Sequence, residues 1–83
     1  MSDAKIRERV KDIMAGVLRM PATRIPDDAT MENVPAWDSL GHIEMMLAIE
    51  MEYGVALSTE TMIELVSLQA IETFLLRQRA AAA

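Results

Sequence analysis

Wherever this chain has a hydrophobic period, the period is helical, and prolines and glycines confine it to short segments. Ile6, Val10, Ile13, Met14, Val17 and Leu18 recur at three- and four-residue spacing, flanked by Lys5, Arg7, Glu8, Arg9, Lys11 and Asp12. Ser2 is placed to cap this first helix, Gly16 weakens it slightly, and Pro21 stops it soon afterwards. A second helix is expected from about Ser39 to Tyr53, ended by Gly54. A short third helix fits Thr59 to Glu64 behind a Ser58 cap. A fourth fits Leu68 to Arg77 behind Ser67, with Leu68, Ile71, Phe74 and Leu75 as its apolar residues. No segment alternates as a strand does, although residues 55–57 (Val-Ala-Leu) suit a brief extended stretch. The fold class is therefore all-α: a small four-helix bundle of three longer helices and one short one, in a single domain, with Ala80 to Ala83 either a frayed tail or an extension of the last helix.

Between Met20 and Trp37 no period is sustained, and Pro21, Pro26 and Pro35 punctuate the stretch. It still carries spaced apolar residues: Ile25, Met31, Val34 and Trp37. That pattern describes a long loop pinned onto the core, with a short helical turn near Thr30 to Asn33.

The chain's 83 residues leave no room for a deep cleft beside a full core. Without cysteine there is neither disulfide nor thiolate metal site, and a lone His42 cannot make a histidine cluster. No apolar run approaches the ~20 residues a membrane helix needs, so the expected home is the cytoplasm and no membrane insertion is expected.

Charge is divided along the chain. Lys5, Arg7, Arg9, Lys11, Arg19 and Arg24 precede Ile25, Arg77 and Arg79 follow Leu76, and no Lys or Arg lies between. That interval holds Asp27, Asp28, Glu32, Asp38, Glu44, Glu50, Glu52, Glu60, Glu64 and Glu72. Such a field repels nucleic acid and speeds encounter with basic protein surfaces; as plain surface charge it also serves solubility.

The second helix has two apolar faces. At about 100° per residue, Ile43, Leu47 and Met51 lie near Leu40, while His42, Met45, Met46, Ile49 and Tyr53 cluster opposite. A helix of a small bundle needs one buried stripe, and the one ending in Tyr53 is the larger. Leu40, Ile43, Leu47 and Met51 are then left exposed beside Glu44 and Glu50, as a docking surface unless the long loop covers them.

Just before this helix stands Trp37-Asp38-Ser39-Leu40-Gly41. A serine at a helix start is commonly a cap, and Asp38 can cap equally well. As a nucleophile Ser39 has only His42 near it in sequence, with no acid to orient that base, so a self-contained hydrolase is not indicated.

The run DSLGHIEMMLAIEMEYGVAL resembles the Asp-Ser-Leu motif and following helix of acyl carrier proteins, and STETMIELVSLQAIETFL is similar to that family's third and fourth helices. The resemblance implies a monomeric carrier that is not itself an enzyme. It implies that Ser39 bears a covalent 4′-phosphopantetheine arm, attached by a phosphopantetheinyl transferase, on which acyl groups ride as thioesters. Asp38 is implied in that modification and Leu40 in packing or docking beside the serine. The expected docking residues are Leu40, Ile43, Glu44, Leu47, Glu50 and Met51, facing acyl-ligating or acyl-transferring enzymes with basic surfaces. A helix N-terminus suits a phosphodiester, because its unpaired N–H groups and positive dipole end favour an anion.

Many carriers of fatty acid synthesis have an acid where this chain has Gly41, a Glu where it has Met51, and a small residue in place of Trp37. Read onto the docking face, the changes at 41 and 51 make it more apolar and point to a specialised carrier. A peptidyl or aminoacyl carrier has the same serine and arm with a different cargo. A helical interaction module without any prosthetic group is the alternative of another class.

Overall fold

The computed structural model describes the backbone of residues 3–82 and the side chains of residues 5–79. Within them the chain forms four α-helices: α1 (Asp3–Leu18), α2 (Ser39–Tyr53), α3 (Thr59–Glu64) and α4 (Leu68–Ala82). Ser2, expected to cap α1, lies outside the described residues. α1 packs against both α2 and α4. The core where they meet is built from Val10, Met14, Met45, Met46, Ile49, Leu68 and Ile71, all fully buried. Three of those are methionines, whose unbranched side chains fill irregular space between helices.

Local chemistry explains most helix ends. Ser58 Oγ accepts from the Thr61 N–H at 3.1 Å and Ser67 Oγ from the Ala70 N–H at 3.0 Å, which satisfies orphan amides of α3 and α4. Gly54 ends α2 at φ +63°, a conformation that suits a residue without a Cβ. α4 runs to Ala82, beyond the Arg77 boundary, so Ala80 to Ala82 continue the helix instead of fraying; alanine has the highest helix propensity.

α1 ends earlier than Pro21 requires. Arg19 takes the left-handed conformation at φ +56°, and the Met20 N–H returns to the Ala15 carbonyl at 3.1 Å. This is a Schellman closure with arginine where glycine usually stands, at a cost of roughly 1–2 kcal/mol. Arg19→Gly should therefore raise stability, by about 0.5–1 kcal/mol, and a higher melting temperature would show it.

The long loop is pinned as expected, with Ile25, Val34 and Trp37 buried and Ala29 buried beside them. The expected helical turn near Thr30 to Asn33 forms, and a second, 3₁₀ turn precedes it at Ala22–Arg24. One α-type bond, Val34 N–H to Thr30 O, closes the turn at Thr30. Thr30 Oγ1 accepts from the Glu32 and Asn33 amides and Asn33 Oδ1 from the Thr30 amide, so side chains satisfy the first amides of the turn, which have no partner within it. The turn also docks on the α3–α4 junction: Met31 N–H reaches Val66 O at 3.1 Å and Leu68 N–H reaches Ala29 O at 2.9 Å.

Several acids are paired with cations, and one of them is buried. Glu72 is buried and receives Arg7 through two hydrogen bonds, of 3.2 and 2.9 Å. Glu52 pairs with Arg9, and Asp27 with Lys11 and Arg7. The Lys11 hydrogen bond and charge hold the Asp27 carboxyl below the usual carboxylate range. Asp28, Glu32, Asp38, Glu44, Glu60 and Glu64 remain exposed. At the far end of α2, burial pushes the Tyr53 phenol up, and its hydroxyl makes no hydrogen bond among the described residues.

Candidate functional site

The exposed serine sits where a buried residue and a cap meet. Trp37 is fully buried, which anchors the last residue but one before the helix. Asp38 follows in extended conformation, with φ −96° and ψ −173°, and its Oδ1 accepts from the Gly41 N–H at 2.8 Å. Its carbonyl accepts from the His42 N–H, also at 2.8 Å. Of the two capping possibilities the structure selects Asp38. Ser39 is thereby released from capping duty and becomes the first residue of α2, exposed to solvent.

The amides of Ser39 and Leu40 make no hydrogen bond among the described residues. Two orphan donors at the positive end of a fifteen-residue helix, beside an exposed hydroxyl, fit a phosphodiester attached at that hydroxyl. Ser39 is not part of a catalytic relay with His42. The indole Nε1–H of Trp37 donates to His42 Nδ1 at 3.0 Å, and His42 Nε2 lies 2.7 Å from the Met62 carbonyl oxygen. Both ring nitrogens are engaged away from the serine.

Leu40, Ile43, Leu47 and Met51 are 66, 55, 51 and 86% exposed, so the long loop does not cover them. Glu44 is exposed among them. The opposite stripe splits: Met45, Met46 and Ile49 are fully buried, while His42 and Tyr53 are half-buried. Glu50 is more enclosed than Glu44. It is half-buried, and its Oε2 accepts from the Leu57 N–H at 2.9 Å, so it ties the α2–α3 loop back to α2.

Gly41 is buried, and a Cβ built there would lie 3.0 Å from Leu18 Cδ2, 3.2 Å from Asp38 Oδ1 and 3.3 Å from the Ala36 carbonyl oxygen. A larger residue there requires Leu18 and the cap to shift by a few tenths of an ångström, so the glycine serves the close packing of α1 on the first turn of α2. Sequence reading also passed over Ile63 and Val66, exposed by 68 and 39% at and just beyond the end of α3. Their apolar character in so short a helix, with no buried residue, was the available signal.

Comparison with known proteins agrees with this geometry. Residues 8–75 match the model of the family described as "Phosphopantetheine attachment site". The chain is 33% identical over 76 residues to an acyl carrier protein from Thermosynechococcus vestitus, a span covering 90% of this chain and 93% of that one. Among the described residues, no helix is long and apolar enough to cross a membrane. On the match across nearly its whole length, the chain belongs to the phosphopantetheine-binding acyl carrier protein family.

Proposed function

We propose that the chain carries acyl groups and that Ser39 is where its arm is attached. The exposed first-turn position of Ser39, with free amides on either side of the hydroxyl, is the observation that carries this reading. In the attachment step Ser39 Oγ attacks the phosphorus of coenzyme A that bears the pantetheine. The new P–O bond replaces the one to 3′,5′-ADP, and the serine proton passes to a base of the phosphopantetheinyl transferase. The attached arm supplies a thiol, which a chain without cysteine otherwise lacks, to hold the cargo as a thioester. Asp38 keeps the helix start folded, and the N-terminal dipole of α2 offsets the added negative charge. Incubation with coenzyme A and a promiscuous transferase, followed by mass spectrometry, tests the reading. One added arm is expected, and an unmodified wild type refutes it.

Partner enzymes are proposed to meet Leu40, Ile43, Leu47 and Met51 as apolar anchors, with Glu44 steering basic surfaces toward them. Glu50, half-buried beside this face with one carboxylate oxygen on the Leu57 amide, adds its charge to the same field. Glu44→Lys should slow association with the transferase several-fold at low salt. Added salt should slow the wild type toward the same rate, since exposed charges are screened beyond about 10 Å at 0.1 M. Stopped-flow rates insensitive to both changes would leave Glu44 a solubility residue.

A further inference from the structure

We infer that His42 is a positioning residue, a two-ended tie that holds α3 against the first turn of α2 and so keeps the surroundings of Ser39 in one arrangement. The reading of Ser39 as the attachment site underlies the functional half of this inference.

α3 itself offers few anchors: Met62 packs half-buried against the core, and the buried residues Leu57 and Leu65 lie on either side of the helix. It is six residues long and none of them is buried. Its N-terminal end is capped from within, by Ser58 on the Thr61 amide. At its C-terminal end the Thr61 carbonyl takes the Leu65 N–H and the Glu64 carbonyl takes the Val66 N–H. The Met62 carbonyl belongs to the same orphan set, and it is His42 of α2 that satisfies it, at 2.7 Å. An isolated helix of this length does not persist in water, so its contacts with the bundle decide whether it exists.

The other end of the tie is as specific. An indole N–H can only donate, so His42 Nδ1 must be its acceptor and Nε2 must carry the proton given to Met62. The two contacts together call for the Nε2–H arrangement of the imidazole, whose ring centroid lies 6.0 Å from that of Trp37. Trp37 is fully buried and lies two residues before Ser39. His42 lies three residues after it. The tie thus brackets the serine from both sides of the sequence and joins that turn to α3.

His42→Phe keeps an aromatic ring and removes both polar contacts. His42→Gln offers one acceptor oxygen and an N–H donor in their place. Backbone order parameters for residues 59–64 should fall in His42→Phe from about 0.85 toward 0.6, while those of α1 and α4 stay near the rigid value. In the wild type, nitrogen chemical shifts of the imidazole should report the Nε2–H tautomer. If α3 then occupies its docked place only a fifth of the time, KM for the carrier in arm transfer should rise about fivefold, with kcat within twofold. Partial rescue by His42→Gln of both order parameters and KM is expected.

Wild-type behaviour of His42→Phe would overturn the inference, since the ring would then only fill space. A uniform loss of order across all four helices would overturn it too, by making His42 an ordinary stability residue. The order parameters are read on the unmodified protein alone. A wild type that accepts no arm would therefore refute the carrier reading while leaving the tie intact, and a rigid α3 in His42→Phe would refute the tie while leaving the carrier reading intact.

Discussion

Ser39→Ala should accept no phosphopantetheine under conditions in which the wild type accepts one arm, and it should still fold. Both halves follow from the same geometry. The hydroxyl is exposed and hydrogen-bonds to nothing among the described residues, so its loss breaks no contact. The N-cap is Asp38, and alanine at the first helical position is well tolerated. Asp38→Ala is the informative companion. It leaves the hydroxyl in place, removes the bond to the Gly41 amide, and should cost about 1 kcal/mol of stability. Intact-mass measurement and a thermal melt of each variant separate lost chemistry from lost structure. Modification of Ser58 or Ser67 in Ser39→Ala would overturn the assignment; both hydroxyls already cap helices.

Ile49→Ala should destabilise the protein by roughly 2–5 kcal/mol, whereas Met51→Ala should stay within about 0.5 kcal/mol of wild type. The two residues are two positions apart on α2, yet Ile49 is fully buried and Met51 is 86% exposed. Truncating Ile49 leaves a cavity between α2 and its neighbours. In a domain this small that is a large share of the total stability, and each kcal/mol moves the melting temperature by roughly 4–8 °C. Met51→Ala should instead weaken partner binding, because an apolar anchor contributes to affinity where it is desolvated by the partner. An early melt for Met51→Ala with a normal one for Ile49→Ala would invert the assignment of the two faces.

Much of this protein is written in interactions a few residues long. The four helices, the Ser58 and Ser67 caps and the Gly54 stop depend on spacing of three and four residues, which any reader of the chain can measure. The two stripes of α2 were legible for the same reason; Ser39 stood out only through the resemblance of its Asp-Ser-Leu motif, since by position alone it reads as a cap. The choice between Asp38 and Ser39 as cap was open in the sequence, since both residue types cap helices equally well; the backbone conformation at Asp38 decided it.

Tertiary structure decided whatever depends on which surfaces meet. Arg7 and Glu72 are sixty-five positions apart, so nothing local marked Glu72 as buried and paired. Glu50 is tied to the α2–α3 loop because the chain turns back after Gly54 and brings the Leu57 amide to it. Gly41 had the look of a surface substitution until Leu18 and the Ala36 carbonyl closed around it. Arg19 adopts a conformation its side chain disfavours because packing of α1 and the pinned loop outweighs that local cost. His42 read as a core-side residue and as a base without an orienting acid; the buried indole of Trp37 and the Met62 carbonyl, brought to its two nitrogens by two other segments, made it a tie. Local periodicity fixes what each segment becomes, since its energies act within one helical turn, whereas the partner of a polar group is set by the packing of segments far apart in the chain.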